Sequence, residues 1–144
     1  MPSVRRPDYS LETFAQFGAG YLPGHLGIEM LAVERDRMVC RVAVRKEILA
    51  PHGVVHGGTL VAIADTMCGY GAITHLPDGA TGFVTIELHT NFLGAASCGA
   101  MRCTARPVHL GKTTQVWDAV VCDEATERTL AIFRCTQLVL RKDR

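Results

Sequence analysis

The sequence predicts an α+β domain in which an antiparallel sheet wraps around one long central helix, with a short helix ahead of it. Three observations predict it. One long segment, Gly57 to about His75, is apolar nearly all round, as befits a helix buried on most sides. The segments after it alternate with period two, the mark of strands. The 144 residues are one domain's worth of chain, with no repeat or linker that would begin a second.

The elements follow in order. Leu11, Phe14 and Phe17 recur at helical spacing from Ser10 to Ala19, and Ser10 suits the N-cap. Gly18, Gly20, Pro23 and Gly24 then break the pattern. Gly27 to Val33 and Met38 to Val44 read as strands around the charged turn Glu34 to Arg37. Glu47 to Val55 is irregular, with Pro51 and Gly53. After the long helix, Pro77-Asp78-Gly79 is a turn. In the next strand, Phe83 to Phe92, alternation puts Val84, Ile86, Leu88 and Phe92 on one face. Phe83, Thr85, Glu87, His89 and Asn91 take the other. Three more strands are expected, at Gly99 to Pro107, Thr113 to Cys122 and Thr129 to Leu140, with turns at Gly111-Lys112 and Asp123 to Arg128. The last strand is apolar on both faces, which suits a central or interface position.

Composition narrows the function. Formal net charge is +1, with 20% charged and 6% aromatic residues. That excludes the strong basic excess and the stacking platforms of nucleic-acid binders. Hydrophobic residues make up 48%, more than a lone small domain covers comfortably. None of the six cysteines forms a C-x-x-C pair, so reduced structural thiols in a cytoplasmic protein are expected. No apolar run follows Arg5-Arg6 to make a signal peptide or twin-arginine signal, and none is long enough for a membrane helix.

The chemistry gathers at the long helix. His56-Gly57-Gly58 opens it, where glycines let a group approach free N–H donors at the positive end of the dipole. Such donors can hold a developing oxyanion; close packing is the other use of the pair. Asp65 is the only charged residue between Glu47 and Asp78, on a stripe of small and apolar neighbours. With no intrahelical partner it is either a catalytic base or nucleophile, or a carboxylate satisfied by a neighbouring strand's N–H groups. His56 has two roles open to it, general base or loop orientation through a hydrogen bond. His52 and His56 straddle a loop and make no metal motif, so no metal is expected. No G-x-S-x-G elbow, P-loop or dinucleotide fingerprint occurs. Arg102, Arg106, His109 and Lys112 form a basic group around the Gly111 turn, either for phosphates or as a solvated strand face.

The run from His56 to Thr66 resembles the signature of hotdog-fold acyl-CoA thioesterases, in the branch of the phenylacetate-pathway (PaaI-like) enzymes. Glu87 to Leu93 is similar to that family's strand after the helix. Arg106 to Trp117 is similar to its next hairpin, notably in the menaquinone-pathway thioesterases. The resemblance runs from about Gly27 to Leu140 and divides the chain into an N-terminal segment, 1–26, and a hotdog domain, 27–144. It implies that the Gly57 N–H polarises the thioester carbonyl and that Asp65, from the partner subunit's helix, activates water or attacks directly. It implies that Thr85 helps place the water and that His56 supports the loop or the sulfur side. His52, Gly58, Arg106, His109 and Lys112 would bind substrate. Coenzyme A enters as part of the acyl-CoA substrate, no separate cofactor is needed, and a homodimer with shared sites, paired into a homotetramer, is implied. The helix glycines Gly69 and Gly71, with Ala72, leave room for a medium-chain or aromatic acyl group. One position departs from the family: Ala50 stands where Asn or Gln commonly contacts the nucleophile or its water. That departure keeps a non-catalytic acyl-CoA-binding protein open, and a hotdog dehydratase or hydratase is the other alternative.

Overall fold

The computed structural model describes residues 8–142; the Arg5-Arg6 pair, and with it the start of the N-terminal segment, lies outside them. Helix α1 (Leu11–Gly18) and the single turn α2 (Leu22–His25) precede strands β1 (Glu29–Val33) and β2 (Met38–Ala43). A 3-10 turn (Lys46–Ile48) leads to α3 (Gly57–Thr74). Then come β3 (Ala80–Phe92), β4 (Ala100–Leu110), β5 (Thr114–Asp123) and β6 (Thr129–Arg141). The strands form one six-stranded sheet in the order β1-β2-β4-β5-β6-β3, antiparallel throughout. It wraps α3, as expected.

The buried helix follows from its composition. Only Gly58 of α3 is exposed, and Leu60, Ile63, Ala64 and Met67 sit in the core. The end of α3 is held by a buried polar group. Gln115 Nε2 donates to the His75 carbonyl at 3.0 Å, and Trp117 Nε1 donates to Gln115 Oε1 at 2.8 Å. A carbonyl orphaned at the helix C-terminus is thereby satisfied inside the protein.

Three expectations need correction. In α1, Ser10 caps as predicted, its Oγ accepting from the Thr13 N–H at 3.1 Å. Of the apolar trio, however, only Phe14 is buried, while Leu11 and Phe17 are exposed, Phe17 with its ring edge against Tyr70. The stretch read as mere breakers forms α2, because Pro23 sits in its first turn, where a missing N–H costs no helical bond.

The third correction concerns β3. Thr85 pairs with Gln137 but Glu87 pairs with Thr136, so Ile86 is an extra residue in a β-bulge. Alternation inverts there. Phe83 and Thr85 face α3 before the bulge. After it Leu88, Thr90 and Phe92 take that face, opposite Cys135, Phe133 and Ala131. Glu87, His89 and Asn91 therefore lie on the outer face, not with Thr85.

Candidate active site

Asp65 is half-buried on α3, and its side chain receives one hydrogen bond, from Thr85 Oγ1 to Oδ1 at 3.1 Å. No backbone N–H among the described residues donates to it. Of the two readings open to this carboxylate, satisfaction by a strand backbone is the one the geometry lacks. Burial pushes the Asp65 carboxyl above the usual carboxylate range, and the Thr85 hydrogen bond pulls the other way. Thr85 is delivered by β3 on the face toward the helix, so the bulge at Ile86 keeps this contact while the strand beyond it changes sides.

Asp65, Thr66 and Thr85 supply the polar groups of a cavity of about 280 Å³. Its apolar walls come from Phe17, Tyr70, Ile73 and Phe83, with Pro23 at one side. Gly69 lines it, since a Cβ there would meet the Phe83 ring at 3.2 Å. Gly71 and Ala72 do not. Gly71 faces Trp117, whose Cζ3 is 2.4 Å from where a Cβ would be, and Ala72 is fully buried. Phe17, Tyr70 and Phe83 escaped sequence reasoning. Tyr70 carried a local signal, a large polar-tipped side chain five residues after the carboxylate, and Phe83 carried another, its place two residues before Thr85 on the same strand face.

The start of α3 is built differently from one residue to the next. His56 is the N-cap, and its Nδ1 accepts from the Gly58 N–H at 2.8 Å. That bond leaves Nδ1 without a proton and consumes the Gly58 donor. The His56 ring is thereby tied to the first turn of the helix. No acceptor among the described residues meets the Gly57 N–H, and the Phe92 ring packs against Gly57, 3.1 Å from a Cβ placed there. His52 is exposed in the turn that the Gly53 N–H to Ala50 carbonyl bond closes at 2.9 Å. Ala50 takes part there through its backbone alone.

Within one chain these groups are not all brought together. Gly57 and Asp65 are eight residues apart on one helix, roughly 12 Å along its axis. The basic group does not converge either. Arg102 and Arg106 pair with Glu124 and Asp36 at 3.7 Å on the sheet. His109 and Lys112 lie at the β4–β5 hairpin. Gln115, just beyond that hairpin, holds the C-terminal end of α3, the opposite end from Gly57. Ten residues of extended chain, roughly 33 Å, separate Arg102 from Lys112. Among the described residues no group of three or more His, Cys, Asp or Glu could hold a metal ion, and no helix could cross a membrane.

A sheet wrapped on a single helix, with a lone carboxylate in an apolar cavity and an open amide at the helix start, defines an enzyme of the hotdog class. The profile of the Thioesterase superfamily matches residues 52–130. A 1,4-dihydroxy-2-naphthoyl-CoA hydrolase from Listeria monocytogenes is 35% identical over 117 residues, 81% of this chain and 94% of that protein. Among solved structures, a thioesterase from Haemophilus influenzae superposes with a TM-score of 0.89 at 28% identity, covering 95% of this chain and 94% of that one. The PaaI protein from the phenylacetic acid degradation operon of E. coli superposes at 0.78 and 25% identity, covering 88% and 89%. The chain belongs to the Thioesterase superfamily and is a thioester hydrolase.

Proposed function

We propose that the protein hydrolyses an acyl-CoA thioester to the free acid and coenzyme A, in a homodimer whose two sites are each shared between subunits. The observation that carries this reading is the placement of Asp65 in the cavity with a single hydrogen-bond donor. A carboxylate so held can take a proton from water as the water adds to the thioester carbon, or can add to that carbon itself. The carbonyl oxygen gains negative charge, which an unpaired N–H such as that of Gly57 would stabilise. Collapse expels the thiolate of coenzyme A. On the water route it takes up the proton that Asp65 accepted; on the direct route water then hydrolyses the Asp65 acyl anhydride and supplies that proton. The chemistry needs water and no further cofactor.

The 12 Å along α3 between donor and base supports the shared site, because one carbonyl cannot touch both from one chain. The long edge strand β3 supports it too, with Val84, Ile86 and Leu88 exposed on an unpaired edge. Val120, Ile132, Leu138 and Leu140 extend an exposed apolar outer face where dimers would pair into a tetramer. In such an assembly His52, Arg106, His109 and Lys112 would contact coenzyme A across subunits, where charges on the sheet suit its phosphates. The cavity's Phe17, Tyr70 and Phe83 walls suit an aromatic or medium-chain acyl group, in keeping with the naphthoyl substrate in the Listeria relative's name. Six free thiols, four of them buried, suit the reducing cytoplasm.

A panel of short, long and aromatic acyl-CoAs with detection of free thiol tests this reading. We expect Asp65→Asn and Asp65→Ala to fold and to lose at least about a hundredfold in kcat. An Asp65→Ala protein as fast as the parent would exclude the assignment.

A further inference from the structure

Gln137 is fully buried on β6, directly opposite Thr85 in the β3–β6 register. Thr85 Oγ1 stands 2.9 Å from the Gln137 side-chain oxygen and 3.1 Å from Asp65 Oδ1. A hydroxyl has one proton and cannot donate to two acceptors. The three groups can be satisfied together in two ways.

When Asp65 is ionised, the Gln137 amide turns over so that its –NH₂ donates to Thr85, and Thr85 donates to the carboxylate. The amide oxygen then faces Cys135 Sγ, 3.3 Å from the other end of the amide, and the thiol can donate to it. When Asp65 carries a proton, it donates to Thr85, Thr85 donates to the amide oxygen, and the –NH₂ points at Cys135. The orientation of one buried amide thus follows the charge on Asp65.

We propose that Gln137 is a positioning residue for hydrolysis, directing the single Thr85 proton toward the Asp65 carboxylate whenever that carboxylate is ionised. This rests on the catalytic reading of Asp65. The other groups packed around Asp65 do not compete for the role. Its titratable neighbours are the Cys68 thiol and the Tyr70 phenol on α3, both pushed up by burial, with Cys135 on β6 beside Cys68. β3 presents Phe83 and Thr85, the N-terminal segment presents Phe17 and Pro23, and among the described residues no Lys, Arg or His lines the cavity.

The test is the acid limb of kcat/KM against pH for the parent, Gln137→Met, Thr85→Val and the double variant. The ionised chain ends on a charge, and charge-assisted hydrogen bonds are about twice as strong as neutral ones. Loss of the amide therefore costs the ionised form more. We expect Gln137→Met to move the limb upward by roughly half a pH unit to one unit, and Thr85→Val to move it at least as far. The double variant should move no further than Thr85→Val, because Gln137 acts only through Thr85. A merely structural role would lower thermal stability and leave the limb in place. Gln137→Glu is the second probe. Its carboxylate would compete for the Thr85 proton and repel the Asp65 charge, raising the limb by more than Gln137→Met does. An unmoved limb in both Gln137 variants, or a shift additive with Thr85→Val, overturns the proposal. If Asp65→Asn keeps full turnover, the catalytic reading and this inference fall together. If Asp65→Asn is inactive and the limb does not move, only this inference falls.

Discussion

Asp65 is costly where it sits, and the cost has a sign that can be measured. Burial holds its carboxyl above the usual range despite the Thr85 hydrogen bond. The folded protein therefore keeps the proton to a higher pH than the unfolded chain does. Stability from this group is full below the unfolded carboxylate pKa. It is lost as pH rises through the raised folded value. Asp65→Asn has no proton to lose. Urea unfolding from acid to neutral pH should show the variant gaining on the parent across that window, and a difference constant with pH would contradict it. Gly71 makes a second prediction at this scale. A methyl there would fall 2.4 Å from a ring atom of Trp117, which is buried and tied through Nε1 to Gln115. Overpacking of this kind costs about 1–3 kcal/mol, against about 1 kcal/mol that Ala recovers over Gly in a helix. Gly71→Ala should therefore lower the melting temperature by thermal denaturation, with the acyl preference unchanged.

At the scale of elements, α1 and β3 decide what the site looks like. Helix α1 brings Phe17 to the cavity while leaving the residue 56% exposed. Phe17→Ala should open that wall with little loss of stability. The expected result is a several-fold gain in kcat/KM for bulkier acyl groups relative to small ones, read from the same panel of acyl-CoAs; an unchanged ranking would remove Phe17 from the acyl site. The periodicity of β3 was readable, but its faces were not. A regular strand would have put His89 and Asn91 beside Thr85. One bulged residue, Ile86, sends them outward, where His89 lies opposite Arg134 in the ladder. A bulge is set by the pairing with β6, and no residue in β3 announces it.

The whole molecule answers for the apolar surplus in the composition. A single chain leaves Val84, Ile86, Phe92 and Leu93 exposed along one edge strand and its exit. A partner pairing there would cover them and bring a second α3 within reach. Ile86→Lys places a charge on that edge, a device that blocks strand pairing. We expect it to shift the species seen by light scattering toward the 15.6 kDa single chain and to abolish turnover, although Asp65, Thr85 and Gly57 are untouched. A fully active single chain would refute the shared site.

The central helix, its lone carboxylate and the strand order along the chain were all readable from the sequence, because periodicity, turn residues and an isolated charge are local properties. The family resemblance rested on the same local runs. The tertiary structure alone decided that Thr85 meets both Asp65 and Gln137, that Phe17 walls the cavity, and that His89 faces away. It also decided that Arg102 pairs with Glu124 and Arg106 with Asp36. Each of these depends on the register between strands or on packing between distant segments. One bulge or one crossing helix changes such a register without leaving a mark in the residues that carry it.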